Sequence, residues 1–258
     1  MKLISLNAWG GKLYQPLITF LKQHSKNADI FCFQEVFHNA SGVKEYADFR
    51  ANLYDELSQL LNQFQGYYVP TQDKYVFYKG FVDFDLSYGL AIFIKKDIPV
   101  LSHGDFFLFR ERNCLDPKDI PHTLPKNLQH LSFAFKNKQF TVCNYHGIWL
   151  PPPNSKSDTE SRINQSQKIN QFLKKLPREK ILCGDFNLAL NTQSVKILEE
   201  DMVNLIKKYQ ITATRNKFFP GEEKFADYTF VSNGINVKNF QVPDIEVSDH
   251  LPMILEFE

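Results

Sequence analysis

Apolar runs alternate along the chain with segments in which apolar residues recur at helical spacing. Short, nearly continuous apolar runs are typical of strands covered on both faces of a sheet. Such runs predict strands at residues 2–9, 28–36, 88–96, 180–186, 227–232, 235–242 and 251–258. The run 130–147 is interrupted by the polar residues 136–138 and therefore predicts a hairpin of two strands.

Four other segments predict helices. Residues 15–25 suit a short helix, and another is expected near 195–209. Apolar side chains at steps of three and four, from Tyr46 to Phe64, predict an amphipathic helix of about five turns. Ser157 and Glu160 have the spacing of a capping box, which predicts a helix over roughly 158–175.

This order of strands, hairpins and helices favours an α/β (or α+β) protein with two mixed sheets and helices outside them. There is no internal repeat and no linker with a shift in composition, so a single domain over residues 1–258 is expected. The segment 149–158 is the nearest feature to a loop insertion, and its three prolines should make it stiff.

Composition narrows the function classes. The chain has 258 residues, 43% of them hydrophobic, and a formal net charge of +1. That balance argues against binding nucleic acid through bulk electrostatics, although a local basic groove stays open. No apolar run approaches the length of a membrane span, and no signal peptide is recognisable, so we expect a cytoplasmic protein. We also expect a monomer.

The cysteines also fit a reducing compartment. Cys32, Cys143 and Cys183 lie inside apolar runs, which suits buried, reduced thiols. The chain has no CxxC pair, and a zinc site is therefore not expected.

Residues capable of chemistry stand at the ends of the predicted strands. Taken singly, each could be a turn residue, a cap or a hydrogen-bonded structural side chain. Taken together, they point to an active site, because ligands of open α/β folds bind where loops from several strand ends converge. The residues are Asn7, Glu35, His146, Asp185 with Asn187, and Asp249 with His250.

The motifs LNAWGG, FQEV, NYHG, GDFN and SDHLPM, in this order and spread over the whole chain, resemble the endonuclease/exonuclease/phosphatase superfamily, the DNase-I-like fold. The resemblance implies a four-layer αββα sandwich, with two mixed β-sheets packed face to face and helices outside. It also implies a hydrolase that cleaves phosphoesters with a divalent metal, Mg²⁺ or Mn²⁺, as cofactor.

The resemblance further implies a metal site at Glu35, the principal ligand, with Asn7 beside it and Asp249 nearby. Oxygen ligands of this kind suit magnesium, which needs only one or two carboxylates. Asp185 matches the residue that activates the attacking water, and the amide of Asn187 would stabilise charge on the phosphoryl group.

The remaining family positions concern the histidines. His250 matches the histidine that contacts the scissile phosphate, and His146 matches a candidate general acid for the leaving oxygen. Asp227 matches the aspartate that orients His250, and the alternative is an acidic strand start facing water.

Two departures from the family pattern affect the expected site. The glutamate that supports the first histidine in the DNase branch is replaced by DLSYGLAIF, residues 85–93, which leaves the support of His146 open. Nor does an arginine directly precede Asp227. Arg162, Arg215 and Lys217 are candidates for substrate contact, and each could instead be a solvated surface residue.

The expected function is a phosphodiesterase of nuclease type acting on DNA or RNA. The same family also allows a phosphodiesterase or phosphatase for a small molecule or lipid headgroup. Aromatic residues in the segment 67–81 could form a wall for a base or lipid, or could belong to the core. The alternative from another functional class is a catalytically inactive binding protein on this fold. Metal binding without turnover would distinguish it from the enzyme.

Overall fold

The computed structural model describes residues 1–77, 79–152 and 155–258. The strands of the first half of the chain are β1 (Lys2–Asn7), β2 (Ile30–His38), β3 (Glu45–Tyr46), β4 (Phe49–Arg50), β5 (Phe64–Asp73), β6 (Tyr75–Val76), β7 (Gly80–Phe81) and β8 (Ser87–Lys95). Those of the second half are β9 (Val100–Phe109), β10 (Lys126–Phe135), β11 (Lys138–His146), β12 (Glu179–Asp185), β13 (Val203–Asn204), β14 (Asp227–Val231), β15 (Val237–Gln241) and β16 (Met253–Phe257). The helices are α1 (Tyr14–His24), α2 (Leu53–Leu60), α3 (Ile120–Thr123), α4 (Glu160–Leu173), α5 (Gln193–Glu199) and α6 (Leu205–Lys208), with a 3-10 turn at Trp9–Gly11.

Two six-stranded mixed sheets form the centre of the fold. The first has the order β15-β16-β1-β2-β8-β5 and the second has the order β13-β14-β12-β11-β10-β9. Each sheet contains one parallel pair, β1 with β2 and β11 with β12, flanked by antiparallel strands. The carboxyl ends of a parallel pair lie at the same sheet edge, so each sheet presents two strand ends side by side.

The sheets pack face to face, and helices cover their outer faces, which is the four-layer sandwich that the family resemblance implied. Leu3 of β1 lies in the core shared with the second sheet, whereas Ile4 packs with Leu17 of α1 and Leu53 of α2. On the opposite side, Ile169 of α4 is buried in the same apolar cluster as the strands of the second sheet. Successive side chains of a strand point to opposite faces, and burial on both explains why these strands are almost continuously apolar.

The prediction of one long helix from Tyr46 to Phe64 is wrong. Tyr46 and Phe49 belong to the hairpin β3–β4, and only α2 is helical. Phe49 lies instead against Phe37, with the ring centroids 5.4 Å apart. The side-chain amide of Asn39 donates to the carbonyl groups of Val43 and Ala51 and fixes the loop outside a helix. The helical spacing of these apolar residues therefore arises from tertiary contacts rather than from one continuous helix.

Two other boundaries differ from expectation. The helix predicted near 195–209 is divided into α5 and α6, because Asn204 begins a new turn by accepting from the N–H groups of Ile206 and Lys207. The predicted capping box does not cap α4. Thr159 is the N-cap and accepts from the backbone N–H of Arg162.

The proline-rich segment 149–158 lies between β11 and α4, and its residues 153 and 154 lie outside the described residues. Cys32, Cys143 and Cys183 are free and buried, as the sequence predicted. Among the helices of the described chain, none is both long enough and apolar enough to cross a membrane.

Candidate active site

The ends of the four parallel strands meet at one rim of the sandwich. Asn7 ends β1 and Asp185 ends β12, each in a row of side chains that faces the other sheet. The Asn7 amide Nδ2 donates to Asp185 Oδ2 at 3.0 Å and to Glu35 Oε1 at 3.0 Å. One amide thus holds two carboxylates from different sheets together. The backbone N–H of Trp9 donates to Asn7 Oδ1 at 2.9 Å, which fixes the orientation of that amide.

The backbone turns the two polar side chains toward the rim through unusual conformations. Glu35 has a φ of 55° and lies in a β-bulge of β2 opposite β8. Asn187 also has a φ of 55°, directly after β12. Left-handed backbone is uncommon for residues other than glycine and concentrates where surrounding structure enforces it, often at functional sites.

Gly147 permits the close approach of the two segments that follow β11 and β12. A Cβ atom at this position would lie 2.3 Å from the carbonyl oxygen of Phe186. The Gly147 N–H donates to the Asp185 carbonyl at 2.7 Å, which joins the end of β11 to the end of β12. Only glycine allows this contact, and the contact places His146 next to Asp185.

The structure contains the Asp227–His250 pair that the family resemblance implied. His250 Nδ1 lies 2.9 Å from both carboxylate oxygens of Asp227, and both side chains are buried. Burial and the nearby Arg215 lower the pKa of His250, but the carboxylates of Asp227, Asp249 and Asp185 outweigh them and raise it overall. His250 Nε2 points at Asp185, with its Oδ2 atom 3.6 Å away.

Tyr88 supplies the support of His146 that the sequence left open. The Tyr88 hydroxyl lies 2.9 Å from His146 Nδ1. Burial raises the pKa of Tyr88 well above its usual value, so the hydroxyl keeps its proton and donates it. Burial, together with Lys126, lowers the pKa of His146 well below its usual value, so the ring is neutral. We therefore assign its proton to Nε2, which lies 3.6 Å from Asp185 Oδ2 and 3.8 Å from Glu35 Oε1.

Replacing Tyr88 by phenylalanine is expected to lower kcat about 10-fold, because partners that orient a site histidine are typically worth roughly 10–100-fold. His146 would keep its position but lose the donor that fixes its ring and tautomer. Steady-state kinetics would check this, with Tyr68→Phe as the matched control, since the Tyr68 hydroxyl binds Ser87 at 3.0 Å. Equal losses in the two variants would contradict a specific role for Tyr88.

Asp185 is ionised in spite of its burial. Burial raises its pKa, but His250, His146, Lys156 and Arg215 outweigh that effect and hold the pKa far below the usual value. Its Oδ1 atom accepts from the backbone N–H of Asn187 at 2.9 Å. A carboxylate with so low a pKa is a weak base, and it serves better as a fixed hydrogen-bond acceptor than as a strong proton acceptor.

The two arginines that the sequence left open as substrate contacts or solvated surface residues are both buried. Arg215 is 8% exposed and its guanidinium donates to the Asp249 carboxylate. Arg162 is 2% exposed and donates to the carbonyl oxygens of Ile148, Ser155 and Ser157. The alternative of a solvated side chain is excluded for both, because the carbonyl and carboxylate groups around them replace water.

These two arginines also differ in their relation to the site. Arg215 lines the cavity, whereas Arg162 acts on the proline-rich segment and is absent from the cavity lining. Lys217 stays exposed and pairs with Glu246. A substrate contact by Arg215 remains a prediction. The described contacts of Arg162 are instead with carbonyl groups in and next to the proline-rich segment, which they hold in place.

A cavity of about 880 Å³ opens over the converging strand ends. Its floor is polar and contains Glu35, His146, Asp185, Asn187, Asp249 and His250. Its wall is aromatic and is formed by Trp9, Phe49, Phe77, Trp149, Phe218 and Phe219. Of the described aromatic residues in the segment 67–81, Phe77 contributes to this wall, and Tyr78 lies outside the described residues.

Two lysines of the site were missed by sequence reasoning. Lys126 begins β10 and Lys156 lies in the proline-rich segment, and both are buried and line the cavity. Lys156 Nζ donates to Asn187 Oδ1 at 2.6 Å. A lysine four residues before the predicted hairpin 130–147 was the available signal for Lys126, but lysines near strand starts are commonly exposed.

The carboxylates can accommodate a hard divalent cation. Ligand atoms of Glu35, His146 and Asp185 lie within 4.8 Å of one another, and Asp249 adds negative charge near Glu35. Burial raises the pKa of Glu35 above its usual value, and a bound cation would favour the ionised form. Oxygen donors of this kind suit Mg²⁺ or Mn²⁺. The Asn7 carbonyl oxygen, in contrast, already accepts from Trp9, so its predicted ligand role would require this bond to change.

Comparison with known proteins agrees with this fold. A family model for the endonuclease/exonuclease/phosphatase family matches residues 4–250. Among curated protein sequences, none matches the chain significantly. Solved structures with the same fold include a mannosyl-6-phosphatase from Bacteroides thetaiotaomicron VPI-5482, which is 21% identical with a TM-score of 0.70 and is aligned over 100% of this chain and 99% of that one.

Two further structures are similar to the same extent. An endonuclease/exonuclease/phosphatase from Bacteroides vulgatus is 19% identical, with a TM-score of 0.69, over 100% of this chain and 98% of that one. The human Nocturnin catalytic domain with bound sulfate is 18% identical, with a TM-score of 0.67, over 100% of this chain and 93% of that one. At these identities the structures show the shared fold, and the family model shows that the chain belongs to the endonuclease/exonuclease/phosphatase family.

Proposed function

We propose that the protein is a divalent-metal-dependent phosphoesterase that hydrolyses its substrate by in-line attack of water. The observation that carries the proposal is the convergence of Glu35, Asp185 and two histidines at one rim, joined by the Asn7 amide at 3.0 Å to each carboxylate. Carboxylates, a charged imidazole and an amide around one cavity are the groups that phosphoryl transfer requires.

Glu35, Asp249 and Asp185 would hold the cation, Mg²⁺ or Mn²⁺. When bound, it would neutralise phosphate charge and act as a Lewis acid. The protein groups supply orientation and protons. Asp185 Oδ2 faces both histidines and would accept a hydrogen bond from the attacking water, which directs the oxygen lone pair at phosphorus.

His250 would stabilise charge on the phosphoryl oxygens. It is buried, Asp227 favours its charged form by raising its pKa, and its Nε2 atom lies 3.6 Å from Asp185 Oδ2. Asn187 has its carbonyl oxygen occupied by Lys156, and its Nδ2 donates to the Gly147 carbonyl at 3.5 Å, which leaves its second N–H to donate to a phosphoryl oxygen. His146 was expected to be a general acid, but its lowered pKa favours a neutral hydrogen-bond donor toward the reacting oxygens.

The substrate expected from sequence is a phosphodiester, with a nuclease-type reaction on DNA or RNA. The aromatic wall around Trp149 and Phe77, whose ring centroids are 5.3 Å apart, could stack against an unpaired base. The cavity volume of about 880 Å³ equally favours a small phosphoester, since it lies within the range of small-molecule sites. The mannosyl-6-phosphatase with the same fold is consistent with this second substrate class.

A metal titration tests the proposed function. Wild type is expected to bind Mn²⁺ or Mg²⁺ in calorimetry and to hydrolyse p-nitrophenyl phosphate, its bis ester or a short oligonucleotide only with metal present. Glu35→Gln should weaken metal binding roughly 10–100-fold. Glu246→Gln is the matched control, because that glutamate pairs with Lys217 at 2.7 Å outside the cavity.

Hydrolysis that survives chelation and Glu35→Gln unchanged would overturn this proposal. Metal binding without turnover across such a panel would instead favour a catalytically inactive binding protein.

A further inference from the structure

Lys126 is a buried cation for which the described residues supply no partner. It is 2% exposed and lines the cavity beside the strand ends. Among the residues that the structure describes, none accepts a hydrogen bond from its ammonium group or forms an ion pair with it. Burial of an unpaired charge is costly, and burial lowers the pKa of Lys126 to about 8, against the opposing effect of Asp185 and Glu35. An anion bound beside Lys126 would offset this cost.

Lys156 is a second buried cation facing the same cavity. It is 5% exposed, and its ammonium donates to the neutral Asn187 amide, while no carboxylate of the described chain lies within ion-pair distance. Its position is held from behind, since Arg162 donates to the carbonyl groups of Ser155 and Ser157 on either side of it. An ammonium group fixed in this way keeps donors available for a ligand oxygen.

The buried charges at the strand ends leave a double positive charge for the substrate, if the solvent-accessible Glu222 and Glu223, which also line the cavity, are not counted. Arg215 pairs with Asp249, and His250 pairs with Asp227. The two lysines balance Glu35 and Asp185. The charge of a divalent cation therefore remains uncompensated. A phosphomonoester has a second pKa of about 6 and is mostly a dianion at neutral pH, whereas a phosphodiester carries a single charge.

We propose that Lys126 and Lys156 bind the non-bridging oxygens of a terminal phosphate, so that the substrate is a small phosphomonoester rather than an internal phosphodiester. This inference rests on the proposed function and selects its substrate class. Water adds its oxygen to phosphorus, the P–O bond to the alcohol breaks, and the alcohol departs with a proton, leaving inorganic phosphate. The aromatic wall of Phe77, Trp149 and Phe219 would cover the alcohol group.

Paired substrates test the proposal. Wild type is expected to hydrolyse p-nitrophenyl phosphate with a kcat/KM at least about 10-fold above that for bis-p-nitrophenyl phosphate. Lys126→Met should lower kcat/KM for the monoester by roughly 10²-fold, the size of effect seen when one charge-stabilising donor is removed, and that for the diester by less than about 5-fold. Lys136→Met is the control, because the Lys136 side chain is 67% exposed and lies in the turn between β10 and β11, at the opposite end of β11 from His146.

A diester preference in wild type, or equal losses on the two substrates in Lys126→Met, would overturn this inference while leaving phosphoester hydrolysis intact. Failure of both substrates in wild type would count against the proposed function itself. Calorimetry with metal present tests the proposed anion site independently of turnover. Inorganic phosphate should bind wild type at least about 10-fold more tightly than dimethyl phosphate, with the difference lost in Lys126→Met. Equal affinity for the two anions would reject the site.

Discussion

Asp185→Asn is expected to lower kcat by about 10²–10⁴-fold, the range for loss of a group that accepts or directs a proton in the transition state. The amide has nearly the shape of the carboxylate, so Asn7 and the backbone N–H of Asn187 can still be placed near it. The substitution removes the negative charge of Asp185, whose Oδ2 atom lies 3.6 Å from the Nε2 atoms of both histidines. A neutral amide accepts a proton from water poorly, and substrate binding should suffer less than turnover.

Single-turnover kinetics would separate these effects, since they measure chemistry apart from binding and release. Asp201→Asn is the control, because Asp201 is half-exposed and pairs with Lys174. A variant whose kcat stays within about 3-fold of wild type would exclude Asp185 from the reaction, given that orienting groups are worth far more than this.

Asp227→Asn is expected to lower kcat by roughly 10²–10³-fold, comparable to the loss of a charge-stabilising donor, through its effect on His250. The carboxylate is one of the groups that raise the pKa of His250. Without it, burial and Arg215 dominate, the pKa falls, and the imidazole becomes neutral. In wild type the charged form persists to higher pH than for an ordinary histidine. As the pH rises, activity that depends on the charged imidazole should therefore be lost at a lower pH in the variant than in wild type.

The pH profile of kcat/KM would detect this shift of the alkaline limb. A double-mutant cycle with His250→Asn adds a second criterion. If Asp227 acts through His250, introducing Asp227→Asn into the His250→Asn variant should change kcat by less than about 3-fold, because interacting residues are strongly non-additive. Additive losses would mean that the two residues act independently, in spite of the 2.9 Å contact.

Sequence predicted the parts of the fold that depend on local pattern. Strands buried on both faces are nearly continuous in apolar residues, and the polar residues directly after them mark the rim of the sandwich. The pattern from Tyr46 to Phe64 misled, because helical spacing cannot distinguish a helix from a hairpin whose apolar residues face a common core. Phe49 is apolar for its contact with Phe37, not for helical periodicity.

The groups that sequence missed owe their roles to distant partners. Tyr88 supports His146 across a separation of 58 residues, and Lys156 reaches Asn187 across 31. Neither pairing has a spacing or motif that a single sequence could show. Lys126 carries a further difficulty, because its burial follows from how the two sheets pack against each other. The sequence pattern therefore cannot predict a polar side chain's role when tertiary contacts decide whether it is exposed to water or buried in the site.

The bond from Asn7 to Asp185 has a consequence for how the protein becomes active. It joins residues 178 positions apart and lies across the seam between the two sheets. Neither sheet alone contains both carboxylates and both histidines, so docking of the sheets and assembly of the site are the same cooperative event. A partly folded chain should hold no residual hydrolytic capacity. During denaturant unfolding, loss of turnover should follow the loss of tertiary structure at the same midpoint.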